Sequence, residues 1–173
     1  MAARPGYPAG SYRVDWRFGG RGPRCDDHSA RPRAGPAPAG RHDAALAWLD
    51  MEATGETFET NAAKDLLVTR DIIQVMAGMF LGEGGNRQDP LANPLHADLK
   101  GFPPMYIQTG ADETLLDDSR KLADLARNSG VDVTLEIAPE MQHVFQFLAG
   151  TAPEADAAIR RLAAWVRPKL GLG

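Results

Sequence analysis

The chain has 173 residues, enough for one domain with its own core. Apolar residues make up 43% of it, which argues against disorder of the whole, and a net charge of −4 argues against a nucleic-acid or anionic-membrane partner. A single cysteine, Cys25, excludes an internal disulfide and a cysteine-based zinc cluster, and fits a reducing cytosol.

No apolar run reaches the roughly 18 residues that a membrane span needs. The opening MAARPGYPAGSYR lacks the apolar centre of a secretion signal. The expectation is therefore a soluble, cytoplasmic protein. Residues 1–44 hold eight arginines, no lysine, six prolines and seven glycines, with no sustained period of 3.6 or 2. Prolines remove backbone donors and block regular ladders. The segment is expected to be irregular, and its lack of lysine and of interleaved aromatics weighs against a nucleic-acid arm.

From Ala45 the character changes. ALAWLDM is a short apolar run that reads equally as a buried strand or a turn of helix. EATGETFETNAAKDLL reads as a polar loop. In VTRDIIQVMAGMFLG, the positions Ile72, Met76, Met79 and Phe80 share one helical face. Thr69 is the expected N-cap, Asp71 suits the first turn and Gly82 is a natural stop. GEGGNRQDPLANPLHADLKGFPP is a loop broken by Pro90, Pro94, Pro103 and Pro104. PMYIQT is a strand, and GADETLLDDSRKLADLARNSG is a helix with its lead-in, patterned by Leu115, Leu122 and Leu125 and ended by Gly130. VDVTLEI alternates strictly, as a half-buried strand near a sheet edge does. The turn APEMQH and the apolar VFQFLAG follow. PEADAAIRRLAAWVRPKL closes the chain as an amphipathic helix with Pro153 at its start and Ile159, Leu162, Ala163 and Val166 as the expected buried stripe. Strands alternating with helices predict an α/β fold with a parallel sheet.

Two residues stand where such a fold places chemistry, beyond the carboxyl ends of strands. Asp112 follows the PMYIQT strand and reads either as a helix N-cap or as an acid that orients an imidazole. His143 is the only one of four histidines just after a predicted strand, and imidazole is the commonest general base near neutral pH. The two are expected to face each other. Asp117 and Asp118 fall inside the helix. There is no helical HExxH pair, no GxGxxG and no GxxxxGK[ST], so neither a metal nor a cofactor is expected.

From about Trp48 onward the chain resembles the carboxyl-terminal half of an α/β-hydrolase of the hormone-sensitive-lipase-like branch, fold-3. Three stretches carry the likeness: WLDMEATGETFET, DPLANPLHADLKGFPPMYIQTGADETLLDD and VDVTLEIAPEMQHVFQ, with the histidine 31 positions after the acid. The resemblance implies a partial α/β-hydrolase fold over residues 45–173 and a small-molecule ester substrate. It further implies Asp112 as triad acid, His143 as triad base, and a 69–81 helix on the cap side of the pocket, with Met76, Met79 and Phe80 either touching an acyl chain or packing the core.

The chain departs from the family pattern. Gly-x-Ser-x-Gly and the HGGG oxyanion motif are absent, and none of Ser11, Ser29, Ser119 or Ser129 sits at an elbow. No nucleophile is assigned, and residues before about 47 are expected to be a non-homologous replacement, such as a truncation or an out-of-frame reading. Two functions follow as expectations. One is a carboxylic-ester hydrolase, inactive alone; the other is a non-catalytic module that associates through an open sheet edge.

Overall fold

The computed structural model describes residues 42–45 and 48–172. Strand β1, His42–Ala45, leads through the short helix α1, Thr57–Thr60, to helix α2, Arg70–Leu81. Strand β2, Met105–Gly110, helix α3, Leu116–Asn128, strand β3, Val133–Ala138, and helix α4, Pro153–Lys169, complete the order. The three strands form one sheet in the order β1-β2-β3, with both pairs parallel. The expected irregular segment 1–44 lies outside the described residues except for His42–Ala44. Those three already belong to β1, which ends at Ala45, the first residue of the apolar run ALAWLDM.

Every residue of β2 is buried, because it is the central strand and both its faces are covered. Met105 and Ile107 point toward α3 and pack with Leu122, Ala123 and Ala126. Tyr106 and Gln108 point the other way, to α4. There the Tyr106 ring lies 5.3 Å from that of Trp165, and Gln108 Nε2 donates to the Ala158 carbonyl at 2.9 Å. Glu136 on β3 gathers Tyr106, Gln108 and Arg161 on this face. Burial and the Glu136 contact push the Tyr106 hydroxyl up to about 12, so it stays a donor. Val133 and Leu135 are half-buried on β3, at the end of the sheet where the alternating pattern placed it.

Helices α2, α3 and α4 form where expected, but two bury other faces, and α1 falls in the stretch that reads as a polar loop. Thr69 caps α2 by accepting the Ile72 amide, and Gly82 ends it at φ +73°, a conformation suited to glycine. The helix buries Ile73 and Ala77, whereas Val75 and Met79 are 61% and 81% exposed and Ile72 and Phe80 also face outward. On α4 the buried residues are Ala155 and Ala158, and Ile159 is 41% exposed. Small side chains let that helix approach the sheet closely, and the larger ones turn to its flanks. Among the described residues, no helix is long and apolar enough to cross a membrane.

Buried carboxylates hold the segment after β1. Asp118, in the first turn of α3, accepts the amides of Leu49 and Asp50 at 3.0 and 2.9 Å. Asp50 in turn accepts the amides of Glu52 and Thr54, both at 2.9 Å, and the Thr54 hydroxyl. Burial raises the Asp50 carboxyl, but these bonds and the nearby Lys121 charge outweigh it and hold the group below the usual range. Asp118 goes the other way. Burial pushes it up to about 6, against the pull of its two amide bonds, and its Oδ1 is buried without a partner.

A carboxyl that titrates near 6 when folded and 3.8 when not favours the folded state fully below pH 3.8 and loses that contribution as pH rises through 6. The full swing corresponds to about 3 kcal/mol. Asp118→Asn keeps an acceptor and removes the charge. Urea unfolding of both proteins from pH 4 to 7 is expected to show the wild type losing ground to the variant as pH rises. A pH-independent difference between them refutes this.

Candidate active site

The parallel register sets Gly110, the last residue of β2, opposite Ala138, the last of β3. The two turns that follow therefore leave the sheet side by side. They are joined by main-chain bonds, Ala111 N–H to the Ala138 carbonyl at 2.9 Å and Asp112 N–H to the Met141 carbonyl at 3.1 Å. The approach is close: a Cβ on Gly110 would lie 2.2 Å from the Met141 oxygen. Glycine is required there by space rather than by dihedral angle.

The first turn carries Asp112 and Glu113, the second His143. His143 Nδ1 lies 2.8 Å from Glu113 Oε2, and Glu113 is only 5% exposed. The other carboxylate oxygen, Oε1, accepts the Thr109 hydroxyl from the end of β2. Both oxygens of the buried carboxylate thus have partners, as burial of a charge demands. Val144, directly after the histidine, is left-handed at φ +59°. A β-branched residue rarely adopts that conformation, at a cost of about 1–3 kcal/mol, and such strain concentrates at functional sites.

The expected contact between Asp112 and His143 is not what the fold makes. Asp112 Oδ1 instead pairs with Lys64 Nζ at 3.0 Å on the surface side of the turn. Nor does Asp112 cap a helix, since α3 begins at Leu116 with Leu115 in the cap position. The physical reason is the course of the turn. One position further along, the chain directs a side chain back under the strand end, where Thr109 waits, and the longer Glu113 reaches the imidazole.

The segment 57–68, which reads in sequence as a polar loop, is the support of this site. Thr57 Oγ1 donates to the Thr114 carbonyl at 2.7 Å. Asn61 Nδ2 donates to the carbonyls of Ala111 and Glu113 at 3.0 and 2.9 Å. Asp65 Oδ2 accepts the Thr114 amide at 2.7 Å and its hydroxyl at 3.0 Å. Thr57, Asn61 and Asp65 are buried and recur every fourth residue. That period of polar residues was the available signal, and a search for apolar periods passes over it.

Other candidates go elsewhere. Met79 and Phe80 lie exposed on α2, outside the core. Ser119 is buried within α3, and Ser129 donates to the Leu125 carbonyl at its end. His96 pairs with Glu52 at 2.9 Å. Ser11, Ser29, His28 and Cys25 lie outside the described residues. Asp118 meets the Leu49 and Asp50 amides and Asp117 meets Thr57 and Arg120, so neither rival acid meets the histidine.

Gly110→Ala drives a methyl into main-chain atoms of the histidine turn, so that turn must move. The expected loss is about 1–3 kcal/mol in urea unfolding, with the Met141 contact to the Asp112 amide weakened in hydrogen exchange. Unchanged protection of the Asp112 amide would contradict the close-approach account.

A family profile described as an alpha/beta hydrolase fold matches residues 29–147, a range that opens within the arginine- and proline-rich segment. The acetyl-hydrolase of Streptomyces hygroscopicus is 37% identical over 126 residues, 73% of this chain and 42% of that protein. Human hormone-sensitive lipase is 34% identical over 93 residues, half of this chain and 9% of the lipase. A crystal structure of an esterase from the bacterial hormone-sensitive lipase family superposes with a TM-score of 0.75 at 45% identity, covering 80% of this chain and 45% of that one. The chain spans less than half the length of each of these proteins.

Proposed function

The chain belongs to the α/β-hydrolase fold-3 family, in its hormone-sensitive-lipase-like branch, and on that premise we propose that it supplies the acid and base of a carboxylic-ester hydrolase. The observation that carries this reading is the 2.8 Å contact of His143 Nδ1 with a buried carboxylate. An imidazole held at Nδ1 presents Nε2 to a hydroxyl, takes its proton as the hydroxyl attacks an ester carbonyl, and returns it to the leaving alcohol. Glu113 fixes the tautomer and stabilises the imidazolium formed on the way. Asp112, engaged with Lys64, stands outside the reacting set.

No Gly-x-Ser-x-Gly occurs in the 173 residues, so in this reading the attacking serine and the oxyanion donors come from a segment outside them. The isolated chain then hydrolyses esters little or not at all. The substrate class is a short-acyl carboxylic ester, in keeping with the acetyl-hydrolase and esterase names of the relatives. The second reading, a non-catalytic module that associates through an open sheet edge, draws on β1, which lies at one end of the sheet among the described residues. A fluorophosphonate probe that leaves the isolated chain unlabelled while size exclusion shows a defined oligomer favours it.

The test is a chimera joining the amino-terminal part of the Streptomyces hygroscopicus acetyl-hydrolase to residues 48–173 of this chain, assayed on p-nitrophenyl acetate. Glu113→Gln and His143→Ala are each expected to lower kcat/KM on the order of 10³–10⁴-fold. Asp112→Asn is expected to lower it less than about tenfold, as befits an exposed pair. The opposite ranking of the two acids returns the role to Asp112, and an active chimera indifferent to His143→Ala ends the reading.

A further inference from the structure

Glu113 and His143 sit on turns from different strands, so their contact depends on what holds the turns together. On the sheet side they are joined by two main-chain bonds, Ala111 N–H to the Ala138 carbonyl at the strand ends and Asp112 N–H to the Met141 carbonyl just beyond them. Only the latter reaches past the strand ends into the histidine turn. The strained Val144 beside His143 adds a tendency to relax.

The second attachment is the side chain of Gln142. Its Oε1 accepts the Leu66 amide at 2.9 Å and its Nε2 donates to the Lys64 carbonyl at 3.0 Å. Carboxamide oxygen and nitrogen thus meet a donor and an acceptor two residues apart on one backbone, as a neighbouring strand would. Asparagine is a methylene shorter. Glutamate has the acceptor without the donor, and lysine the reverse. The same backbone run, through Asn61 and Asp65, holds the Glu113 turn.

We propose that Gln142 is a positioning residue for His143. Its amide pins the histidine turn to the segment that already grips the acid, so one element of chain fixes both halves of the pair. The inference rests on the acid–base reading above. Displacement of a reacting group by about 1 Å can cost on the order of 10²-fold in rate. The clamp is exposed, where water competes for both bonds, so its loss is expected to loosen the turn without unfolding the domain.

The experiment is NMR on the full ¹⁵N-labelled chain, following the low-field proton of His143 Nδ1 and the Leu66 amide. Glu113→Gln, expected to move the low-field proton upfield, assigns it to the pair. Gln142→Ala, and Gln142→Met, which keeps length without polar atoms, are expected to speed exchange of the Nδ1 proton with water about tenfold or more. Gln142→Glu, retaining only the acceptor, is expected to fall between them and the wild type. If the Ala variant does not fold, the Met and Glu variants carry the test. An Nδ1 proton unchanged in the Gln142 variants but moved by Glu113→Gln overturns the positioning role alone. Absence of any low-field Nδ1 proton in the wild type overturns the acid–base reading with it.

Discussion

The parallel pairing of β2 with β3, ending at Gly110 opposite Ala138, is the constraint on which the site depends. Parallel strands deliver their following turns to the same edge of the sheet. Here that geometry sets an acid-bearing turn against a histidine-bearing one although His143 lies 30 positions after Glu113. The absence of a side chain at Gly110 lets the second turn close over the first. The Thr109 hydroxyl, from the same strand end, then satisfies the carboxylate oxygen that the imidazole leaves over.

Around this edge the chain uses carboxylates as backbone anchors. Asp50, Asp65 and Asp118 are all buried, and each accepts main-chain amides from irregular segments that lack ladders of their own. Buried backbone donors must be satisfied, and in long connections side chains do what strands do elsewhere. The result is a site built on loops yet held by many bonds. The exception is Asp118 Oδ1, buried without a partner, and burial there dominates the carboxyl and drives it toward neutrality.

Hydrophobic burial is divided unevenly. The face of the sheet toward α3 is packed by Met105, Ile107, Leu122 and the alanines of the helix. The other face meets α4 through Ala155 and Ala158, with polar Gln108 and Glu136 between them satisfied by Arg161 and Tyr106. Helix α2 commits only Ile73 and Ala77 to the core and leaves Val75, Met79 and Phe80 outward. An apolar stripe marks a surface suited to burial; what covers it depends on which elements the fold brings alongside.

Much was legible in the chain itself. The caps Thr69 and Gly82, the leucine spacing of α3, the proline that opens α4 and the alternation in β3 place those elements, because each is set by interactions within a few residues. That an acid follows one strand and a histidine the next was equally plain. The choice between Asp112 and Glu113 was not, since adjacent carboxylates differ only in the direction the turn gives them, and long-range bonds from Asn61 and Asp65 set that direction. The polar support at residues 57–68, the exposed faces of α2 and α4 and the place of β1 likewise came only with tertiary structure. Each depends on partners dozens of residues away, and local sequence carries no record of their position.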